Sequence, residues 1–303
     1  IERETQGDPS AAFSATFLRS SFSSTLWLQL PTGVSAQADA RALAEPIINE
    51  RHDLMARVTH VCLSALHLGE EDSVLSNVND NGCEGDPSKP GPVLEQLSLC
   101  IKDLAAKLWK DKRPTLVLNG DALELALCPL HRASMAFQCF INQFKIDDKF
   151  MFSKILLLPG NHDHHLWVMT REAQYRDYLL RHMHDQEVVE LPPIWHHTKL
   201  FSAPGDPPVI NHFLSDLIHR PPVGLDVKVQ VAYPNLGIMR DEDLHAGRTP
   251  EKCVVFHHGH FTEWIYNAVS VVNDWIFGDG KPHARHAWKV ERENFAWIDF
   301  AWS

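Results

Sequence analysis

Three things are scarce in this 303-residue sequence, and each scarcity removes a class of function. Basic residues are outnumbered, 28 Lys and Arg against 39 Asp and Glu, for a formal charge of -11. A surface of that sign repels phosphate backbones, so nucleic-acid binding is disfavoured and a nuclease is a weak reading. Cysteines are few, at Cys62, Cys83, Cys100, Cys128, Cys139 and Cys253, and none forms a C-x-x-C pair. A structural zinc site is therefore unsupported, and free thiols in apolar runs fit a reducing, cytoplasmic location. Long apolar runs are missing too: none reaches the roughly 20 residues that cross a bilayer. Phe13 to Leu30 comes nearest to a targeting segment, but Arg19 interrupts it and Glu2, Glu4 and Asp8 precede it. That is a poor secretory signal. The first residue is Ile1, not Met, which fits a processed chain or a piece of a longer one.

What is abundant is histidine, 19 residues, many in clusters: His162, His164 and His165; His196 and His197; His257, His258 and His260. Imidazoles grouped beside Asp and Asn suit metal ligation better than isolated surface histidines do. Apolar residues make up 44% of the chain, enough for a packed core.

Period and punctuation give the organisation. Residues 36–55 read as a helix kinked at Pro46, and Val58 to Ser64 as a strand. Val93 to Lys110 is an amphipathic helix, with Leu94, Leu97, Ile101, Leu104 and Leu108 at helical spacing. Thr115 to Leu118 and Lys154 to Leu158 are buried strands, each running into a polar turn and then a helix, near 131–146 and 166–184. Cys253 to Phe256 is one more strand, before an aromatic-rich helix from Phe261 to Phe277. Strand, polar turn and helix in repetition predict an α/β fold: layered sheets flanked by helices, with the site at the strands' C-terminal ends. The expected division is an N-terminal extension, 1–57, and a domain over 58–303. Its inserted loops or caps fall near 70–92, 122–150 and 186–252, the last an irregular region with added strands.

The strand ends carry the chemistry. They present His67, then Asn119-Gly120-Asp121, then Gly160-Asn161-His162-Asp163, then His257-His258-Gly259-His260. Carboxylate, amide oxygen and imidazole together suit Mn, Fe, Zn or Ni rather than a thiolate metal. In order and spacing these motifs resemble the calcineurin-like metallophosphoesterases, whose pattern runs D-x-H, G-D, G-N-H-D/E, a lone His before Gly, and G-H-x-H. The resemblance covers about residues 58 to 265. It implies one or two divalent transition metal ions and a small phosphate-ester substrate, a monoester or diester, hydrolysed by metal-activated water. It implies that Asp121 bridges two ions, that His67 holds the first, and that Asn161 and His258 hold the second, with His260 an extra candidate ligand. It further implies that His162 faces the leaving group and that Asp163 orients its ring.

Two departures accompany the resemblance. Ala65 stands where the first motif has Asp, in Leu63-Ser64-Ala65-Leu66-His67, and a methyl group ligates nothing. No G-H-x-H is found, since Gly259-His260-Phe261-Thr262 lacks the second His. One expectation is an interrupted chain whose last motif lies beyond Ser303. Ala65 reads either as a deliberate inactivating change or as a naturally degenerate site, which keeps a second function open: a phosphoesterase fold used as a binding or scaffold module. Elsewhere the plainer readings are preferred: His164 and His165 at the rim or surface, His196 and His197 in a solvated loop, and Glu70-Glu71-Asp72 as a solvated acidic run. Trp264, Trp275 and Ile276 are expected in the core, with a membrane-facing patch as the minor alternative. Oligomeric state is not legible.

Overall fold

The computed structural model describes residues 14–20, 23–29, 58–77, 85–108, 112–182, 195–202, 205–239, 253–260, 264–278 and 287–301. The expected helix at 36–55 lies outside them. Among the described residues, the main sheet has seven strands. These are β1 (Ser14–Ser20), β2 (Ser23–Gln29), β3 (Val58–Ser64), β4 (Thr115–Asn119), β7 (Lys154–Leu158), β8 (Ile210–Asn211) and β9 (Val229–Val231). Their order is β1-β2-β3-β4-β7-β9-β8. Strands β2, β3, β4, β7 and β9 run parallel, and antiparallel β1 and β8 close the two edges. Residues 1–35 carry no clear secondary-structure signal in the sequence; β1 and β2 lie there and extend the main sheet.

Parallel strands need long crossovers, and helices supply them. Helix α1 (Pro92–Leu108) joins β3 to β4, and α2 (Leu130–Gln143) follows β4. The helix expected to reach residue 146 stops at Gln143, because a small hairpin of β5 (Lys145–Ile146) and β6 (Lys149–Phe150) follows. Its turn residues Asp147 and Asp148 both have positive φ, 48° and 58°, a conformation that Asp tolerates. Helix α3 (His165–His182) follows β7. A further helix, α4 (His212–His219), lies where only irregular chain and strands were expected. Asn211 caps it, accepting a hydrogen bond from the Leu214 N–H, a start signal hidden in a Pro-rich stretch.

Side-chain alternation sorts the sheet's two faces. Val61, Leu63, Leu116, Leu118, Ile155 and Leu157 join the large core with the helices. Cys62, Val117, Leu156 and Leu158 point the other way. There they pack with Leu236 and Phe256 of a second, two-stranded sheet of β10 (Asn235–Ile238) and β11 (Val254–His257). Burial on both faces explains why these strands read as continuous apolar runs. It also fixes β11 so that its C-terminal end delivers His257 and His258 beside the ends of β4 and β7.

The aromatic segment after β11 is not one helix. A 3-10 turn (Ile265–Asn267) leads into α5 (Ala268–Phe277). Trp264, Trp275 and Ile276, expected in the core, are 79%, 85% and 55% exposed. What α5 buries is polar: Ser270, held by Asn294 and Glu293 of α6 (Ala287–Ala301). Residues 295–301 belong to α6. Helix α6 reaches back across the fold. Glu291 accepts a hydrogen bond from the Tyr233 hydroxyl and lies 3.5 Å from His164 Nε2, while Asp299 lies 3.6 Å from His164 Nδ1. The Arg171 guanidinium sits 3.6 Å over the Phe295 ring. His164, expected at the rim, is buried between two carboxylates, while neighbouring His165 is exposed. Among the described residues no helix is long and apolar enough to cross a membrane.

Candidate metal centre

Three loops meet where β3, β4 and β7 end, and backbone bonds tie them together. Ala65 N–H donates to Gly120 O, His67 N–H to Asp121 O, Leu68 N–H to Ala122 O, and Leu125 N–H to His162 O. The turns are tight enough to force left-handed backbone at Ala65, His67 and Asp121, with φ of 53°, 45° and 49°. Non-glycine residues seldom adopt this conformation, and its cost collects at functional sites. Gly120 has φ +76°, and a Cβ there would meet His258 Nδ1 at 2.0 Å. A Cβ on Gly160 would meet Asp121 Oδ1 at 2.2 Å. The glycines thus let an imidazole and a carboxylate lie against bare backbone.

The predicted ligands converge. Asp121 Oδ2 lies 3.0 Å from His258 Nε2 and 3.9 Å from His67 Nε2, and Asn161 Oδ1 lies 3.1 Å from His258 Nε2. Asp121 Oδ1 accepts from the His162 N–H at 2.9 Å, which fixes the carboxylate's rotation. Burial opposes ionisation of Asp121, but the His258 bond outweighs it and lowers the carboxyl's pKa. Burial likewise disfavours a charged His258, and the bond to Asp121 reverses that and raises it. One amide oxygen, one carboxylate and two imidazoles, with Asp121 between His67 and His258, are donors of the kind that suit a divalent transition metal.

Sequence reasoning missed Glu124, whose side chain is fully buried here. Its Oε2 lies 2.6 Å from His162 Nδ1 and 2.9 Å from His67 Nδ1, so one carboxylate holds two rings. Oε1 accepts from the N–H groups of Ala126 and Leu127. Burial pushes the Glu124 pKa up, yet the bonds from His162 and His67 prevail and hold it at about 2. His67, Glu124 and His162 also lie close enough to form a metal-holding group themselves. The usable signal was the three-residue step from Asp121 to Glu124 in Asp121-Ala122-Leu123-Glu124, which returns a carboxylate to the same pocket.

Asp163, expected to orient the His162 ring, instead turns inward. Its oxygens accept from the N–H groups of Gly160, Ala122 and Leu123, so it clamps two loops while Glu124 meets the ring. Burial first, then the Asp121 charge, push the Asp163 pKa up to about 6. His260 is buried beside His258, their ring centroids 5.6 Å apart, with Nε2 3.3 Å from the Tyr233 hydroxyl. Burial pushes the His260 pKa down to about 3, so it stays neutral at ordinary pH. Position 65 brings only a methyl group, beside Gly120. His196 is half-buried and His197 exposed, the latter as expected of a solvated loop.

Comparison with known protein families matches residues 91–297 to the calcineurin-like phosphoesterases. No curated protein and no solved structure matches the chain. The matched range holds Asp121, Glu124, Asn161, His162, Asp163, His258 and His260; His67 lies before it, joined by the His67–Asp121 backbone bond. With more than half of its length matched and the expected α/β layers in place, the chain belongs to the calcineurin-like phosphoesterase family.

Proposed function

We propose that this protein is a metal-dependent hydrolase of a small phosphate monoester or diester, weakened at its first metal position by Ala65. The observation that carries the reading is that His67 Nε2 and His258 Nε2 both lie within 3.9 Å of Asp121 Oδ2, with Asn161 Oδ1 3.1 Å from the same His258 nitrogen. These four residues would hold the ion or ions, with His260 a further neutral imidazole nearby. A divalent cation there, Mn, Fe, Zn or Ni, would polarise the phosphoryl group and make water nucleophilic near neutral pH.

The chain's own groups do the rest. Glu124 accepts from Nδ1–H of both His67 and His162, which fixes the tautomer of each ring. That leaves His67 Nε2 with a lone pair for the metal. In its imidazolium form His162 would donate the Nε2 proton to the departing oxygen and return to the Nδ1–H tautomer that Glu124 holds. Asp163 acts by holding the Gly160 turn and the Ala122–Leu123 backbone in register. The free thiols Cys62, Cys100, Cys128, Cys139 and Cys253 support a reducing location such as the cytoplasm.

Ala65 favours a second reading, a catalytically degenerate fold serving as a binding module. Its φ of 53° bears on the choice, because Asp adopts left-handed backbone more readily than Ala does. The backbone at 65 is thus already shaped for the carboxylate it lacks. The test is metal analysis and p-nitrophenyl phosphate hydrolysis, for the chain as it stands and for Ala65→Asp. Bound metal that rises in Ala65→Asp together with hydrolysis supports the enzyme. Absence of bound transition metal in both proteins after Mn or Zn loading sinks it. Metal without hydrolysis in either leaves the binding module as the function.

A further inference from the structure

A buried chain of polar side chains runs from α6 to the ring of His260. Tyr233 and Glu291 are 0% exposed, and His260 is 3% exposed. The Tyr233 hydroxyl touches both of the others: it donates to Glu291 Oε1 and lies 3.3 Å from His260 Nε2. A buried carboxylate is costly, and a group that only filled space at position 291 would need no charge. What a carboxylate adds there is an oxygen that can only accept.

Counting protons along the chain shows the effect. A phenol has one O–H to give and an ionised carboxylate has none, so Tyr233 gives its proton to Glu291. The phenol oxygen then meets His260 with lone pairs alone, and Nε2 must supply the hydrogen of that contact. His260 is neutral at ordinary pH, because burial and then the His258 charge hold its pKa at about 3. A neutral imidazole carries a single N–H, so a proton on Nε2 leaves the lone pair on Nδ1. A neutral ring whose tautomer is fixed by an outer partner is the form in which histidine binds metals. The His260 ring stands 5.6 Å from that of His258, centroid to centroid, and feels the Asp121 charge.

We infer that Glu291 and Tyr233 are positioning residues that preset His260 as its Nε2–H tautomer, which makes Nδ1 the nitrogen offered to an ion beside His258. The inference deepens the proposed function and rests on it for the ion alone; the tautomer belongs to the metal-free protein. It also gives α6 a part in the metal centre through Glu291, which reaches the His260 ring by way of Tyr233.

The test is long-range proton–nitrogen NMR of the metal-free full chain at pH 7, with labelled histidine and the His260 signals assigned by their loss in His260→Gln. The expected pattern is a protonated Nε2 and an unprotonated Nδ1. This first measurement needs no variant at position 233 or 291. A proton on Nδ1 would mean the reverse order of donors, with Glu291 protonated and giving to Tyr233, and overturns the proposal. Tyr233→Phe keeps the ring and removes the oxygen. It is expected to let both His260 tautomers appear and to weaken zinc binding about 10–100-fold by titration. An unchanged tautomer in a folded Tyr233→Phe protein overturns the positioning role. Zinc added to the wild type is expected to move the Nδ1 resonance, and zinc that binds without moving it overturns the ligand role. Absence of any zinc binding fails the proposed function itself and takes the ligand role with it; the metal-free tautomer distinguishes that failure from a wrong order of donors.

Discussion

Glu124 shows what one side chain can hold. Its carboxylate orients two imidazoles with different proposed tasks, so Glu124→Gln should act on both. Loss of a carboxylate behind a metal-binding histidine typically costs about 10–100-fold in affinity or activity. We expect losses in that range in metal affinity, by titration, and in kcat, with the alkaline limb of the pH–rate profile, where the donor loses its proton, displaced to lower pH; an unchanged profile would reduce Glu124 to a structural role. Stability gives a second readout. A carboxyl held at about 2 against an ordinary 4.5 adds stability above pH 4.5 and loses it as pH falls toward 2. The gap in urea midpoint between metal-free wild type and Glu124→Gln should therefore narrow from pH 6 to pH 3. Asp163→Asn offers one carbonyl oxygen where two carboxylate oxygens serve three N–H groups, and a lower melting temperature should result. Most of the candidate residues were legible because Gly-Asp and Gly-Asn-His-Asp are local words. Glu124 was not, since its meaning depends on a turn that brings residues 67, 124 and 162 together.

Elements were legible in proportion to how much of their own signal they carry. Strands β3, β4 and β7 are buried on both faces and announce themselves as apolar runs. Strands β1 and β2 contain Ser and Thr between apolar residues; β2 takes its identity from pairing with β3 across a long stretch of chain, and β1 from pairing with β2. Helix α4 hid because Asn211 caps a helix of only eight residues between prolines. Helix α5 reads as a core helix by composition, and only tertiary packing reveals that its polar side faces inward. Asn294 is the element-scale test. Its side chain serves two N–H groups at the start of α5 and donates to Ser270 Oγ and the Val290 carbonyl. Asn294→Ala removes the acceptor of the Val269 and Ser270 N–H groups, at a cost of about 1–3 kcal/mol. A fall of several degrees in the α5–α6 unfolding transition is expected, with metal binding at Asp121 retained.

For the whole molecule, the layered α/β fold followed from repeated strand, turn and helix, while the contacts of α6 did not, because nothing local says where a C-terminal helix will pack. Thiol reactivity reports on the assembled layers. Cys62 lies between the two sheets, where burial raises its pKa far above the ordinary value, and burial raises Cys139 to about 11. Cys253 is exposed. Brief alkylation at pH 8 followed by mass spectrometry should modify Cys253 and spare Cys62, Cys128 and Cys139 until urea is added. Early labelling of Cys62 would mean that the small sheet does not cover the large one. The grip of α6 on His164 has a consequence for biosynthesis. His164 leaves the ribosome directly after the Gly-Asn-His-Asp turn, but its partners Glu291 and Asp299 emerge nearly half a chain later. Until then the nascent protein carries an imidazole and a Tyr233 hydroxyl in an unfinished interior, a long-range dependence that slows folding and lengthens the need for chaperone protection.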